Sequence, residues 1–276
     1  MKRTTLLAVA LTIASAAAVL PSCSNSGDTA NAAIAFDTFS ATSAYALQGS
    51  AADFGQTNDI VYLDSVSLIL PLRLGSCDIA PLRDTIASYA FGITGKPIVP
   101  TINTWLEEMA RDQGYTLRKL DTASVTDAQG FDFVNGFVVN LNPQLLVYCV
   151  RSESYIPGAA HGLTLRRYIN FSLQGAGHII TLDKLFTPQG LKELPARIAE
   201  QAEGMAATIG ETSVTDLPAD GNFFISSEGE IVFSYQPYEI ASYAQGTIDV
   251  PFYPYELVDY MTPYAIDLFS LRDFND

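Results

Sequence analysis

Imidazoles are the scarcest catalytic groups in this 276-residue chain, which has only two, His161 and His178. Between them runs a stretch that alternates like a strand with one buried face. Leu163, Leu165, Arg167, Ile169, Phe171 and Leu173 fall on one side, and Thr164, Arg166, Tyr168, Asn170 and Ser172 on the other. The two rings therefore stand about ten residues apart along one strand direction, roughly 30 Å at about 3.3 Å per residue. A metal ion needs its ligands about 2 Å from one centre, so the pair is not expected to share one. No metal site and no cofactor are expected. There is no Gly-x-Ser-x-Gly elbow, and neither Cys77 nor Cys149 has a context that would lower a thiol pKa, so no residue is assigned a catalytic role. His161, in Gly158-Ala159-Ala160-His161-Gly162, could act as a general base or a contact residue, or donate a hydrogen bond that fixes the turn.

The other candidate is the segment Gln236 to Gly246, QPYEIASYAQG, which carries Pro237, Tyr238, Ile240 and Tyr243 with Glu239 as its one charge. Tyrosine offers a large rigid ring plus a hydroxyl, which suits an interface anchor. The same composition suits a loop folded over a sheet with its aromatics in the core, and both readings stand. Tyr253 and Tyr255 carry the same ambiguity.

These residues need elements to hold them. After Leu173, Gly175 and Gly177 allow the chain to reverse, so His178 to Leu182 can return as the second strand of a hairpin, followed by a short helix burying Leu185 and Phe186. Upstream, Asp59 to Leu72 reads as a strand with Ile60, Tyr62, Val66, Leu68 and Leu70 at even spacing, ended or placed at an edge by Pro71. Asp78 can cap a helix through Ala90, and a second helix from Ile102 to Gln113 should bury Ile102, Trp105 and Met109. Strands follow at Phe131 to Leu141 and Leu145 to Ser154. Leu191, Leu194, Ile198, Ala202 and Met205 mark one helix face, and strands at Phe223 to Ile225, Glu230 to Tyr235 and Thr247 to Phe252 are followed by a short helix from Tyr255 to about Met261. The fold class is α+β: an antiparallel sheet built from hairpins, helices packed on one face, and two consecutive subdomains.

Two ordered blocks carry a resemblance. Gly-Ala-Ala-His-Gly, a strand, a Gly turn and Thr-Leu-Asp-Lys-Leu-Phe, together with FFISSEGEIVFSYQPYEIASYAQGTIDVPFYPYEL from Phe223 to Leu257, resemble the exported domain of RsiV-type anti-sigma factors. That domain also occurs beside PdaC-type peptidoglycan deacetylases. The family's usual Gly-Gly-Ala-His is Gly158-Ala159-Ala160-His161 here. The likeness covers roughly residues 155 to 260, and residues 58 to 150 more loosely resemble the PdaC-type domain that commonly precedes it. It implies a non-catalytic module that binds lysozyme, a strongly basic wall-degrading enzyme.

Charge and the N-terminus agree with such a role. The formal net charge is −15, a field that repels nucleic acid and attracts cationic partners. Lys2 and Arg3 precede an apolar run from Leu6 to Val19, shorter than the roughly 20 residues of a spanning helix. Leu20-Pro21-Ser22-Cys23 then reads as a lipoprotein signal, with lipid on Cys23 holding the protein to a membrane in the cell envelope. The expected organisation is a signal peptide at 1–22, a lipid-anchored tether at 23–50 with a first strand near Ile34 to Phe39, a PdaC-type domain at 51–154 and an RsiV-type domain at 155–276. Export allows Cys77 and Cys149 to form a disulfide, although Cys149, inside the apolar run Leu145 to Val150, is equally at home as a core residue. The expected function is capture of a cationic protein such as lysozyme, as decoy, inhibitor or sensor component. The alternatives are a module for peptidoglycan or another envelope glycan, and a hydrolase using His161 with a nearby carboxylate.

Overall fold

Among the described residues seven strands form one sheet and three more form a second. The structure is a computed structural model that describes residues 33–111 and 114–272. The expected signal peptide and the lipid site at Cys23 lie outside the described residues, as does the side chain of Met109. In chain order the strands are β1 Ile34–Gln48, β2 Ile60–Leu74, β3 Thr116–Lys119, β4 Gly130–Leu141, β5 Leu145–Tyr155, β6 Leu163–Ser172, β7 His178–Ile180, β8 Phe223–Ile225, β9 Ile231–Tyr235 and β10 Ile248–Phe252. The helices are α1 Ala80–Phe91, α2 Ile98–Arg111, α3 Leu182–Leu185, α4 Pro188–Gly204, α5 Ala206–Ile209 and α6 Pro263–Leu268.

The large sheet runs β3-β1-β2-β4-β5-β6-β7, and the small one β10-β9-β8. The fold is α+β as expected, with one departure from pure hairpins: β2 and β4 pair in parallel, from Tyr62↔Gly130 to Leu68↔Gly136. Parallel neighbours need a long crossover, and the connection here holds α1, α2 and β3. A second departure concerns the tether. Ile34–Gln48 is a strand of 15 residues paired to β2 from Ile34↔Leu74 to Leu47↔Ile60. Its small residues, which read as linker, are core: Ala44 and Ala46 are fully buried.

Asp78 Oδ1 accepts the Ala80 N–H at 3.0 Å, Pro81 sits in the first turn of α1, and Gly92 ends the helix at φ 66°. Leu82 and Ile86 of α1, with Ile98, Ile102 and Leu106 of α2, pack on Leu68 and Leu70 of β2, Leu146, Tyr148 and Val150 of β5, and Ile169 and Phe171 of β6. The second core lies beneath the small sheet. Leu194, Ile198 and Ala202 of α4 meet Phe233, Val250 and Phe252 there, along with Leu145 and Val147 of β5. Successive strand residues point to opposite faces, so β5 feeds both cores, which explains its unbroken apolar run. The two lobes each have a core, yet the expected boundary at 154/155 falls at the last residue of β5, a strand paired with β6 from Leu145↔Ser172 to Ser154↔Leu163.

Both faces of β6 are covered at its C-terminal end, against the expectation of one: Asn170 and Ser172 are buried beside Ile169 and Phe171. The small sheet covers the polar face. The possible disulfide is absent, and both thiols are free. Cys149 shares the face of Leu145 and Val147, whereas Cys77 packs with the first core on the opposite side of the sheet and points at the Leu173 carbonyl, 3.5 Å away.

Candidate functional site

The outer edge of β6 sets the position of everything around His161. Strand β7 pairs only with Asn170, Phe171 and Ser172, leaving the backbone of the preceding residues without a strand partner on that side. Side-chain amides take its place. Gln236 accepts the Arg166 N–H (2.8 Å) and donates to the Arg166 carbonyl (2.7 Å). Asn222 accepts the Tyr168 N–H (3.0 Å) and donates to the carbonyls of Arg166 (3.0 Å) and Ser234 (2.9 Å). Asn170 does the same toward the small sheet, donating to the Phe223 carbonyl and accepting the Ile225 N–H, both at 2.9 Å. These amides satisfy an edge that would otherwise pair with another chain, and they dock the segment after β9 beside the start of β6.

That docking brings the two sequence candidates together. His161 Nδ1 lies 3.0 Å from the Gly162 carbonyl, which can only accept, so Nδ1 carries the proton. In the neutral ring Nε2 then accepts, and its partner is the Tyr238 hydroxyl at 2.8 Å. The Tyr243 hydroxyl donates to the same Gly162 carbonyl, and the Tyr243 ring lies flat on the imidazole. Tyr238 and Tyr243 are 5.7 Å apart between centroids. Tyr238 is 62% exposed and sits at φ 74°, a left-handed conformation that a bulky residue adopts only under constraint. Pro237 is half-buried beside it. Ile240 is not part of the surface: it is buried in the second core, and its carbonyl accepts the Ser213 N–H. Both imidazole nitrogens are engaged by the fold, so the arrangement presents stacked rings and a hydroxyl to solvent.

The other histidine serves a different aromatic. His178 Nε2 is 3.1 Å from the Tyr264 hydroxyl, and burial, with Lys184 nearby, holds its pKa below the ordinary imidazole value. Among the described residues no three His, Cys, Asp or Glu side chains converge as metal ligands. Burial pushes the Cys149 thiol up to about 12 and also raises that of Cys77, which leaves neither as a thiolate at neutral pH.

Three features escaped the sequence reading. Tyr253 and Tyr255, ambiguous there, are both about half exposed and stack at 5.6 Å with 6° between planes. A cavity of about 370 Å³ opens between the lobes, with Tyr89, Asp183 and Asp220 in its lining, and the Arg167 guanidinium lies beside it, over the Tyr89 ring and 3.6 Å from Asp220. Finally, two carboxyls stand side by side, Asp64 fully buried and Asp132 half-buried. Burial raises Asp64 to about 6, and burial together with the neighbouring Asp64 charge raises Asp132 to about 7. Asp64 was visible in the sequence as the polar interruption of the even series Ile60, Tyr62, Val66, Leu68, Leu70.

No curated protein matches the chain. Two solved structures share its fold. A member of the DUF3298 family from Bacteroides fragilis superposes with a TM-score of 0.63 at 17% identity, covering 88% of this chain and 99% of that one. A DUF3298 family protein from Pseudomonas aeruginosa gives 0.54 at 15% identity, with 83% and 96% covered. Residues 183–256, which run from α3 through β10 and include the loop of Tyr238 and Tyr243, match the family profile described as "Protein of unknown function (DUF3298)".

Proposed function

We propose that the protein is a non-catalytic binding module of the cell envelope that captures a cationic protein such as lysozyme on the surface formed by His161, Tyr238 and Tyr243. The observation that carries this reading is the convergence of two separate loops into one exposed aromatic cluster, with Tyr238 held in a left-handed backbone conformation. Rigid rings lose little entropy on binding, and strain of this kind clusters at ligand sites. The net charge of −15 favours encounter with a basic partner. Lipid on Cys23 would hold the module at a membrane, and the resemblance to RsiV-type domains supports the choice of lysozyme as first ligand. The test is calorimetric titration of the protein, from Cys23 onward, with lysozyme at low and at physiological salt. A saturable heat that weakens with salt is expected, and no heat at either salt removes the proposal.

The exposed stacked pair Tyr253 and Tyr255 favours a second reading, an envelope-glycan module in which sugar rings lie on tyrosine faces. Sedimentation with insoluble peptidoglycan separates the two, because glycan stacking survives salt and charge-driven capture does not.

A further inference from the structure

Asp64 of β2 and Asp132 of β4 are register partners in the parallel pair, so their side chains leave the sheet on the same face. Asp64 is completely buried and Asp132 half-buried. Asp64 Oδ1 accepts the Asp132 backbone N–H at 3.2 Å, and the Tyr45 hydroxyl lies against the same carboxyl. Tyr45 of β1 and Tyr62 of β2, 2% and 1% exposed, stack 5.6 Å apart with 9° between planes, and both hydroxyls feel the two carboxylates. The Tyr62 hydroxyl has no hydrogen-bond partner, and the Tyr45 hydroxyl faces the Asp64 carboxyl. The ring of Tyr62 is held in place: a Cβ on Gly130 would come within 2.6 Å of its carbons, so only glycine lets that ring lie across β4. No cationic side chain is among the groups acting on either carboxylate. Two adjacent acids, one of them fully buried, beside an orphaned phenol oxygen and without a positive charge, are costly as they stand.

We propose that Asp64, Asp132, Tyr45 and Tyr62 form a site for a hard divalent cation of the calcium class, with the Asp64 Oδ2 and Asp132 carboxylate oxygens as charged donors and the phenol oxygens as neutral ones. The donor set is all oxygen, which suits calcium rather than zinc or copper, and two carboxylates balance a divalent charge. Calcium also tolerates irregular geometry, whereas magnesium demands a near-ideal octahedron. With two charged ligands, fewer than the three acidic, imidazole or thiolate groups of a strong centre, affinity falls near the 10⁻⁴–10⁻³ M class of extracellular calcium modules.

The experiment uses the protein from Cys23 onward, with terbium and calcium chloride as probes. Tyr45 and Tyr62 would sensitise terbium luminescence, calcium should displace that emission, and calcium should raise the melting temperature saturably where sodium chloride of equal ionic strength does not. Asp132→Asn should weaken the calcium response by about tenfold or more. Tyr62→Phe, which keeps the ring and removes one oxygen, should weaken it by a smaller factor and serves if Asp132→Asn does not fold. Three results overturn the proposal. The first is the absence of any calcium-specific shift. The second is a response unchanged in both variants, which assigns binding to surface carboxylates. The third is a stability indifferent to calcium that falls from mildly acidic to mildly alkaline pH, which means that a shared proton joins the two carboxyls.

Discussion

The imidazole of His161 lies on the ring of Tyr243 with 3.4 Å between centroids and 12° between planes, although one precedes β6 and the other follows β9. That contact joins the turn before the central hairpin to the loop after β9, and it turns two unremarkable loops into one surface. Tyr238 completes the surface at a backbone angle that glycine would occupy without cost. Tyr238→Gly should therefore leave stability unchanged or raise it by about 1 kcal/mol, since the left-handed region costs a bulky residue that much. The same variant should lose at least about tenfold in affinity for lysozyme if the ring is an anchor of the interface. Denaturant melts and calorimetry on one preparation read both, and a destabilised variant with intact binding contradicts the assignment.

The side-chain amides between the sheets carry their own prediction. Asn222 makes three hydrogen bonds and is 7% exposed, so Asn222→Ala strands the Tyr168 N–H and removes a donor from the Ser234 carbonyl, while the Arg166 carbonyl keeps Gln236. A cost of about 2–4 kcal/mol is expected from buried groups left without partners. Urea denaturation measures it, and Asn222→Asp should fare worse because it brings an unpaired charge into the same place and removes the donor.

His178 predicts a pH dependence. Its folded pKa is depressed, so between that value and the unfolded one, about 6.5, the unfolded chain binds more protons. Its contribution to stability is therefore full above pH about 6.5 and is lost progressively as pH falls below it. Other groups titrate in the same range, so the quantity to measure is the difference between the wild type and His178→Phe. That difference should shrink as pH falls below about 6.5 and stay flat above it.

The thiols give a simple chemical check. Cys77 is partly exposed and Cys149 is buried. A thiol reagent should titrate Cys77 slowly in the native protein and reach Cys149 only on unfolding, with both sites available without reductant. A protein that yields neither thiol until it is reduced contradicts the geometry of opposite sheet faces.

Where the sequence was readable, the reason is periodicity. Alternation located β2 and β6, the apolar run Leu145 to Val150 marked β5, and the Gly175–Gly177 turn returned the chain at His178 as drawn, because those signals are local. What stayed hidden depends on distant partners. Strand β1 has the alanine, serine and threonine of a linker, and only the tight fit of Ala44 and Ala46 in the sheet makes it a strand. The parallel pairing of β2 with β4 is a property of the crossover, not of either strand. Asn170 and Ser172 looked solvent-facing because the amide pairs and the small sheet that cover them come more than fifty residues later. The loop of Tyr238 was found by composition, but its meeting with His161 required the Gln236 contact to β6, which no local pattern encodes.

Strand β5 also bears on how the molecule comes apart. Because Leu146, Tyr148 and Val150 belong to one core and Leu145 and Val147 to the other, neither lobe can melt without stripping a wall from its neighbour. A fragment cut before β6 would be born missing half its floor, and the pair should yield to heat or denaturant in a single step, like a book whose two covers share one spine.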